Sequence, residues 1–131
     1  MTITLDEALV KDVLATFVEG WNNHDHEALS ELYDDDAHVS NSGGAFRGRQ
    51  DVLQFYWQLF HDSEMSKAQL SNLKADMRFL RPDVAIAHIF FEIVKEHWRS
   101  GEAHPTGMLV HTLIKNDEEW RVVETNTILF D

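Results

Sequence analysis

The chain has 131 residues, 44% hydrophobic and 26% charged, which is the size and balance of one globular domain with its own core. Its 23 acidic residues against 11 basic ones leave a formal charge of −12, which disfavours phosphate backbones and anionic membrane surfaces as partners. With no cysteine, the chain can form no disulfide, thiolate metal site or cysteine nucleophile. No apolar run approaches the ~18 residues that would span a bilayer, and the first residues lack a basic-then-apolar layout. The expectation is a soluble, cytoplasmic protein that contacts neither membrane nor nucleic acid.

Taken in chain order, the first half reads as helix. Leu9, Val13, Leu14, Phe17, Val18 and Trp21 fall on one helical stripe, and Thr4 with Glu7 fits a capping box that starts it. Asn22, Asn23, His24 and Asp25 break the stripe; a second helix starts there, carrying Ala28, Leu29, Leu32 and Tyr33. The acidic run Asp34–Asp36 reads as the solvated end of that helix, before a brief strand at about 37–41 and a turn at Ser42-Gly43-Gly44. Val52, Phe55, Tyr56, Leu59 and Phe60 then recur at i, i+3, i+4, i+7 and i+8, a third helix.

After Ser66 the texture changes. Segments near 68–80, 84–98, 106–115 and 120–130 are apolar and rich in β-formers, separated by Arg81-Pro82-Asp83, Ser100-Gly101 and Asn116–Glu119. Short turns between successive strands make an antiparallel meander. The fold class is therefore α+β: three N-terminal helices packed on a curved, mainly antiparallel sheet, in a single domain over 1–131. A tight turn at Asn116–Glu119 pairs Lys115 with Trp120. If that register runs on unbroken, Thr112 faces Val123, Val110 faces Thr125 and Met108 faces Thr127 on one side. His111 then faces Glu124 and Leu109 faces Asn126 on the other. A slip of one residue would exchange the faces.

Several motifs carry a resemblance over nearly the whole chain. They are Trp21-Asn22-Asn23-His24-Asp25-His26-Glu27-Ala28-Leu29, Leu32-Tyr33-Asp34-Asp35-Asp36-Ala37, Phe46-Arg47-Gly48-Arg49-Gln50-Asp51-Val52 and Glu119-Trp120-Arg121-Val122-Val123. They resemble the superfamily of nuclear transport factor 2, ketosteroid isomerase and the SnoaL-like cyclases, which implies a cystatin-like cone. Phe79-Leu80-Arg81-Pro82-Asp83-Val84-Ala85 and Thr125-Asn126-Thr127 are similar to its SgcJ/EcaC-like branch. The fold does not carry a reaction with it. Where the isomerases have a pocket aspartate as base, the resemblance puts Asn41. Where they have a helix-one tyrosine and a penultimate-strand aspartate, it puts Phe17 and Thr112. The cyclases' acidic residue falls at Thr127. Each inherited proton-transfer carboxylate is thus replaced by a neutral group, and enolisation by a general base is not carried over.

The resemblance also implies a pocket wall. Tyr33 and Tyr56 stand where the isomerases have pocket tyrosines. Val39, Asn41, Ala87, Ile89, Phe91, Met108, Val110, Thr112, Val123, Thr125 and Leu129 fall on the concave side, and Trp21 closes the helix side. The expected ligand-binding set is Phe17, Trp21, Tyr33, Asn41, Tyr56, Met108, Val110, Thr112, Thr125 and Thr127. Such a lining suits a small, largely apolar, uncharged molecule, with no cofactor and no metal. If a reaction occurs there, Tyr56 and Tyr33 would polarise a carbonyl, with Asn41 and Thr112 orienting it.

His88, Glu92, His111 and Glu124 carry metal-ligating chemistry on adjacent strands. The resemblance places them on the convex face, where they would serve a homodimer interface. His24, Asp25 and His26 read as a helix start. Two other readings remain open: an isomerase- or cyclase-type enzyme of polyketide-like metabolism with His38 or another histidine as base, and a pure association module with a vestigial cavity.

Overall fold

The computed structural model describes residues 4–95 and 104–130. Helix α1 runs Leu5–Asn22, α2 His26–Glu31 and α3 Arg49–His61. The strands are β1 Tyr33–Asn41, β2 Gly44–Arg47, β3 Ala68–Arg81, β4 Val84–Lys95, β5 Thr106–Asn116 and β6 Glu119–Phe130. The helices and the meander therefore stand where the periodicity puts them. The end of the segment expected over 84–98, and the Ser100-Gly101 turn, lie outside the described residues.

Local chemistry starts each helix. Thr4 caps α1 by accepting from the Glu7 N–H at 3.1 Å, and Asp25 caps α2 by accepting from the Ala28 N–H at 3.1 Å. Helix α3 begins after Gly48, whose φ of 84° is open to glycine at little cost. One expectation fails: Asp34–Asp36 is not a helix end but part of β1. Aspartate is a poor strand former, and these three fall in the irregular stretch between Tyr33 and His38, held by the ladder on either side. Tyr33 lies beside Val122 in a parallel ladder, and Arg49 donates to the Tyr33 carbonyl at 2.6 Å while pairing with Asp35 at 3.1 Å.

The strands form one six-stranded sheet in the order β2-β1-β6-β5-β4-β3, antiparallel throughout except for the β1–β6 pair. One face packs against the helices. It carries Ala85, Ala87, Ile89 and Phe91 of β4, Leu109 and Leu113 of β5 and Val122 of β6, all buried. Helices α1 and α3 cover it with Val10, Leu14, Phe17 and Trp21, and with Val52, Tyr56 and Phe60. Among the described residues no helix covers the other face.

The β5–β6 register holds at the turn and breaks beyond it. Lys115 pairs with Trp120, and Asp117 and Glu118 both take positive φ, as a two-residue hairpin turn requires. A β-bulge between Leu113–Val122 and Thr112–Glu124 then inserts Val123 without a partner. Past it His111 pairs with Thr125, Leu109 with Thr127 and Val110 with Asn126, in place of the expected partners. The physical reason is visible in the chain. Trp120 and Val122 point inward, so strict alternation would bury the Glu124 carboxylate in the core. The bulge turns Glu124 outward and brings Thr125 in.

Candidate functional site

The inner face and the two long helices leave a cavity of about 340 Å³ between them. Trp21 at the end of α1, and Phe55, Tyr56 and Leu59 of α3, form its helix side. Edge-to-face aromatic contacts fix that wall: Trp21 meets Phe60 with ring centroids 5.4 Å apart, and Phe55 meets Tyr56 at 4.9 Å. Phe91, Ile93, Leu109 and Thr127 supply the sheet side. The turn at Asn41, Ser42 and Gly43 borders the mouth, and the Gly43 N–H donates to Asn41 Oδ1 at 2.7 Å. The Asn41 carbonyl oxygen is thus engaged by its own turn, while its amide N–H groups have no such tie. Among the described residues no charged side chain lines this cavity.

Behind Tyr56 lies a buried chain of polar groups. The Tyr56 hydroxyl is 2.8 Å from that of Tyr33, which is 2.7 Å from Thr125 Oγ1, which is in turn 2.8 Å from Nδ1 of His111. Tyr33, Thr125 and His111 are each 0% exposed. The His111 ring packs on Phe17 with centroids 4.5 Å apart, and its Nε2 is buried without a hydrogen-bond partner. Burial lowers the His111 pKa from 6.5 to about 3. Burial likewise pushes the Tyr33 hydroxyl up to about 12, and raises that of Tyr56 well above 10. All three titratable groups of the chain are therefore uncharged near neutral pH.

The ten residues expected at the ligand divide into three sets. Trp21, Asn41, Tyr56 and Thr127 border the cavity. Phe17, Tyr33 and Thr125 lie on the inner side but belong to the packed core and polar chain behind it. Met108, Val110 and Thr112 lie on the opposite face of the sheet, because β5 presents Gly107, Leu109, His111 and Leu113 inward. Of the further residues expected on the concave side, Val39, Ala87, Ile89, Phe91 and Leu129 share the inner face, and Val123 sits at the bulge.

The histidines need a matching correction. His111 does not join His88, Glu92 and Glu124 on the outer face; it is buried on the inner one, so that cluster does not assemble. An imidazole therefore does stand on the inner face, where none was expected. His88 is 3.6 Å from Asp76 across the outer face. His38 is exposed and faces outward beside Glu124, away from the cavity. Asp25 caps α2, and His24 Nε2 lies 2.7 Å from the Ala68 carbonyl, tying the helix break to β3. Among the described residues no three His, Asp or Glu side chains converge to hold a metal ion, and no helix is long and apolar enough to cross a membrane.

Sequence reasoning missed Leu109, which lines the cavity, and His111, which anchors the polar chain. Both lie on the row of β5 that contains Leu113, the partner of inward Val122, and that row runs unbroken. The signal for the bulge in β6, which brings Thr125 in beside His111, was Glu124, an acidic residue where strict alternation from Trp120 and Val122 points inward.

Comparison with known proteins now places this architecture. The chain is similar in structure to a cystatin-like protein of unknown function from Nostoc punctiforme, with a TM-score of 0.83 and 19% identity over 97% of this chain and 78% of that one. A second Nostoc punctiforme protein with a cystatin-like fold gives 0.81 and 15% over 99% and 96%. A ketosteroid isomerase-like protein from Erwinia carotovora gives 0.76 and 14% over 98% and 99%. No curated protein matches the sequence. These likenesses establish the cystatin-like α+β fold. The profile of the SnoaL-like domain matches residues 14–121, most of the chain, and the protein is a member of the SnoaL-like domain family.

Proposed function

We propose that this domain binds a small, largely apolar, uncharged molecule in the cavity between α1, α3 and the inner sheet face. The observation that carries the reading is the lining: aromatic and aliphatic walls, with Tyr56, Asn41 and Thr127 as neutral polar groups and no charged side chain among the described residues. Desolvating an ion there would cost several kcal/mol without a counter-charge to offset it. An apolar body bearing one or two polar atoms meets matching chemistry instead.

An acid–base enzyme of the isomerase or cyclase type is the second reading, and the imidazole of His111 on the inner face favours it. Its depressed pKa makes it a weak base, and it reaches the cavity only through Thr125, Tyr33 and Tyr56. Hydrogen bonding by Tyr56 is the better-supported chemistry. Native mass spectrometry of freshly purified protein, followed by thermal shift with the bicyclic ketone 2-decalone, tests the binding reading. Retained mass or stabilisation, lost in Leu109→Trp, is expected. An empty protein that the ketone does not stabilise overturns it.

The outer sheet face supports self-association. Phe90, Met108 and Ile128 make an apolar row on it, and Ile86, Val110 and Ile114 continue it among polar neighbours, with no helix over them among the described residues. His88, Asn126, Thr112, Glu124 and Arg121 lie between and beside these side chains with both charge signs, so two copies related by a twofold axis can oppose unlike groups. Sedimentation measures this directly, with a dimer mass expected.

A further inference from the structure

The hydrogens of the buried chain can be counted, and the count has a consequence for the ligand. Three links join four atoms: His111 Nδ1, Thr125 Oγ1 and the hydroxyl oxygens of Tyr33 and Tyr56, at 2.8, 2.7 and 2.8 Å. Each link holds one hydrogen, and the three hydroxyls bring three. If the neutral imidazole keeps its proton on Nε2, Nδ1 accepts from Thr125. Every hydroxyl hydrogen is then used, pointing from Tyr56 back towards His111. That arrangement strands an N–H at Nε2, which is buried without a partner.

If the proton is on Nδ1 instead, four hydrogens compete for three links. The direction reverses: His111 donates to Thr125, Thr125 to Tyr33 and Tyr33 to Tyr56. The hydrogen left over is that of the Tyr56 hydroxyl, on a residue that lines the cavity. Nε2 then keeps only a bare lone pair. Buried orphan N–H groups are rarer in native proteins than acceptors with unused lone pairs, so this tautomer has the lower cost.

Resting on the binding reading above, we infer that His111 carries its proton on Nδ1 and so makes Tyr56 a hydrogen-bond donor into the cavity, selecting a neutral ligand with a carbonyl-type acceptor at that point. An alcohol of the same skeleton also has an accepting oxygen, but it brings a hydrogen of its own into an apolar enclosure and must find that a partner. A ketone fits without this demand. His111 touches no ligand; it is a positioning residue acting through Thr125 and Tyr33.

The test has two arms. Long-range proton–nitrogen correlation spectra of the 15N-labelled full chain report the tautomer of each neutral imidazole. A proton on Nδ1 of His111 is expected, and one on Nε2 overturns the inference whatever binds. In the second arm, 2-decalone and 2-decalol are titrated against the protein. The ketone is expected to bind about tenfold more tightly than the alcohol, whose own hydrogen finds no acceptor, and Tyr56→Phe to weaken ketone binding by about tenfold, the worth of the hydrogen bond it donates. Equal binding, or preference for the alcohol, overturns the donor assignment and leaves the cavity reading standing. Binding of neither overturns both.

Discussion

Trp120 donates its indole N–H to Asp6 Oδ1 across 3.0 Å, and Lys115 Nζ lies 3.1 Å from the same oxygen. The first turn of α1 is thereby pinned to the turn end of β5 and β6. The hydrogen bond from Trp120, then that from Lys115, holds the Asp6 carboxyl below its ordinary 3.8. A group depressed in the folded state contributes stability above its unfolded pKa and loses it as pH falls through the folded one. Asp6→Asn is therefore expected to lower the urea midpoint at neutral pH and to flatten its decline below about pH 4. Equal acid slopes in the two proteins would show that the contact is idle.

His111 gives a different acid dependence, at higher pH. Its pKa falls from 6.5 unfolded to about 3 folded, so between those values the unfolded chain binds a proton that the folded one refuses. Stability from this group is complete above 6.5 and declines on acidification by about 1.4 kcal/mol per unit. Urea unfolding of the wild type at neutral pH and near pH 5 is expected to show that loss, and His111→Gln to show little of it. Because Asp6 titrates only below 3.8, of these two groups His111 alone accounts for the loss between pH 6.5 and about 4.

Gly107 is required by close approach. A Cβ there would lie 2.5 Å from the Ile128 carbonyl oxygen and 2.7 Å from Cζ of Phe91. Gly107→Ala is expected to cost roughly 1–3 kcal/mol, as overpacking does, and to displace the Phe91 ring that lines the cavity. Weakened 2-decalone binding alongside a lower melting temperature is the expected pair of readouts.

On the outer face, Val110→Lys introduces a charge between His88 and Asn126 in the middle of the proposed interface. Sedimentation is expected to show a dimer for the wild type and a monomer for the variant, with the far-ultraviolet circular dichroism unchanged. A dimer that survives the substitution places the interface elsewhere.

The helices and the meander were legible because their signals are local. Phe17 and Trp21 on α1, and Val52, Tyr56 and Phe60 on α3, carry the helical period in their spacing, and Thr4 and Asp25 mark starts by their capping chemistry. On the cavity's helix side Trp21 and Tyr56 were expected from the resemblance, whereas Phe55 and Leu59 were seen only as part of the α3 stripe. On the sheet side, the resemblance put Thr112, Val110 and Met108 on the concave face, but β5 alternates without interruption from the Lys115–Trp120 pair, so the inward Trp120 and Val122 set Leu113, His111 and Leu109 inward and those three outward. The slip in β6 decides only the residues beyond Val123, Glu124 and Thr125 first among them. Asp34–Asp36 was misread for a related reason: its place in β1 comes from distant partners, Val122 and Arg49, that no local propensity encodes.

The unpaired Val123 makes the hairpin two independent halves. Straightening the strand with Val123 kept would rotate the distal half of β6, drawing the Glu124 carboxylate in and expelling Thr125, whereas deleting Val123 would keep Val122 and Thr125 on the inner face and Glu124 outside. A straightened strand would sever the polar chain and put a negative charge in its place. The chemistry of the hollow therefore rests on how this hairpin absorbs one residue as much as on the side chains along its walls.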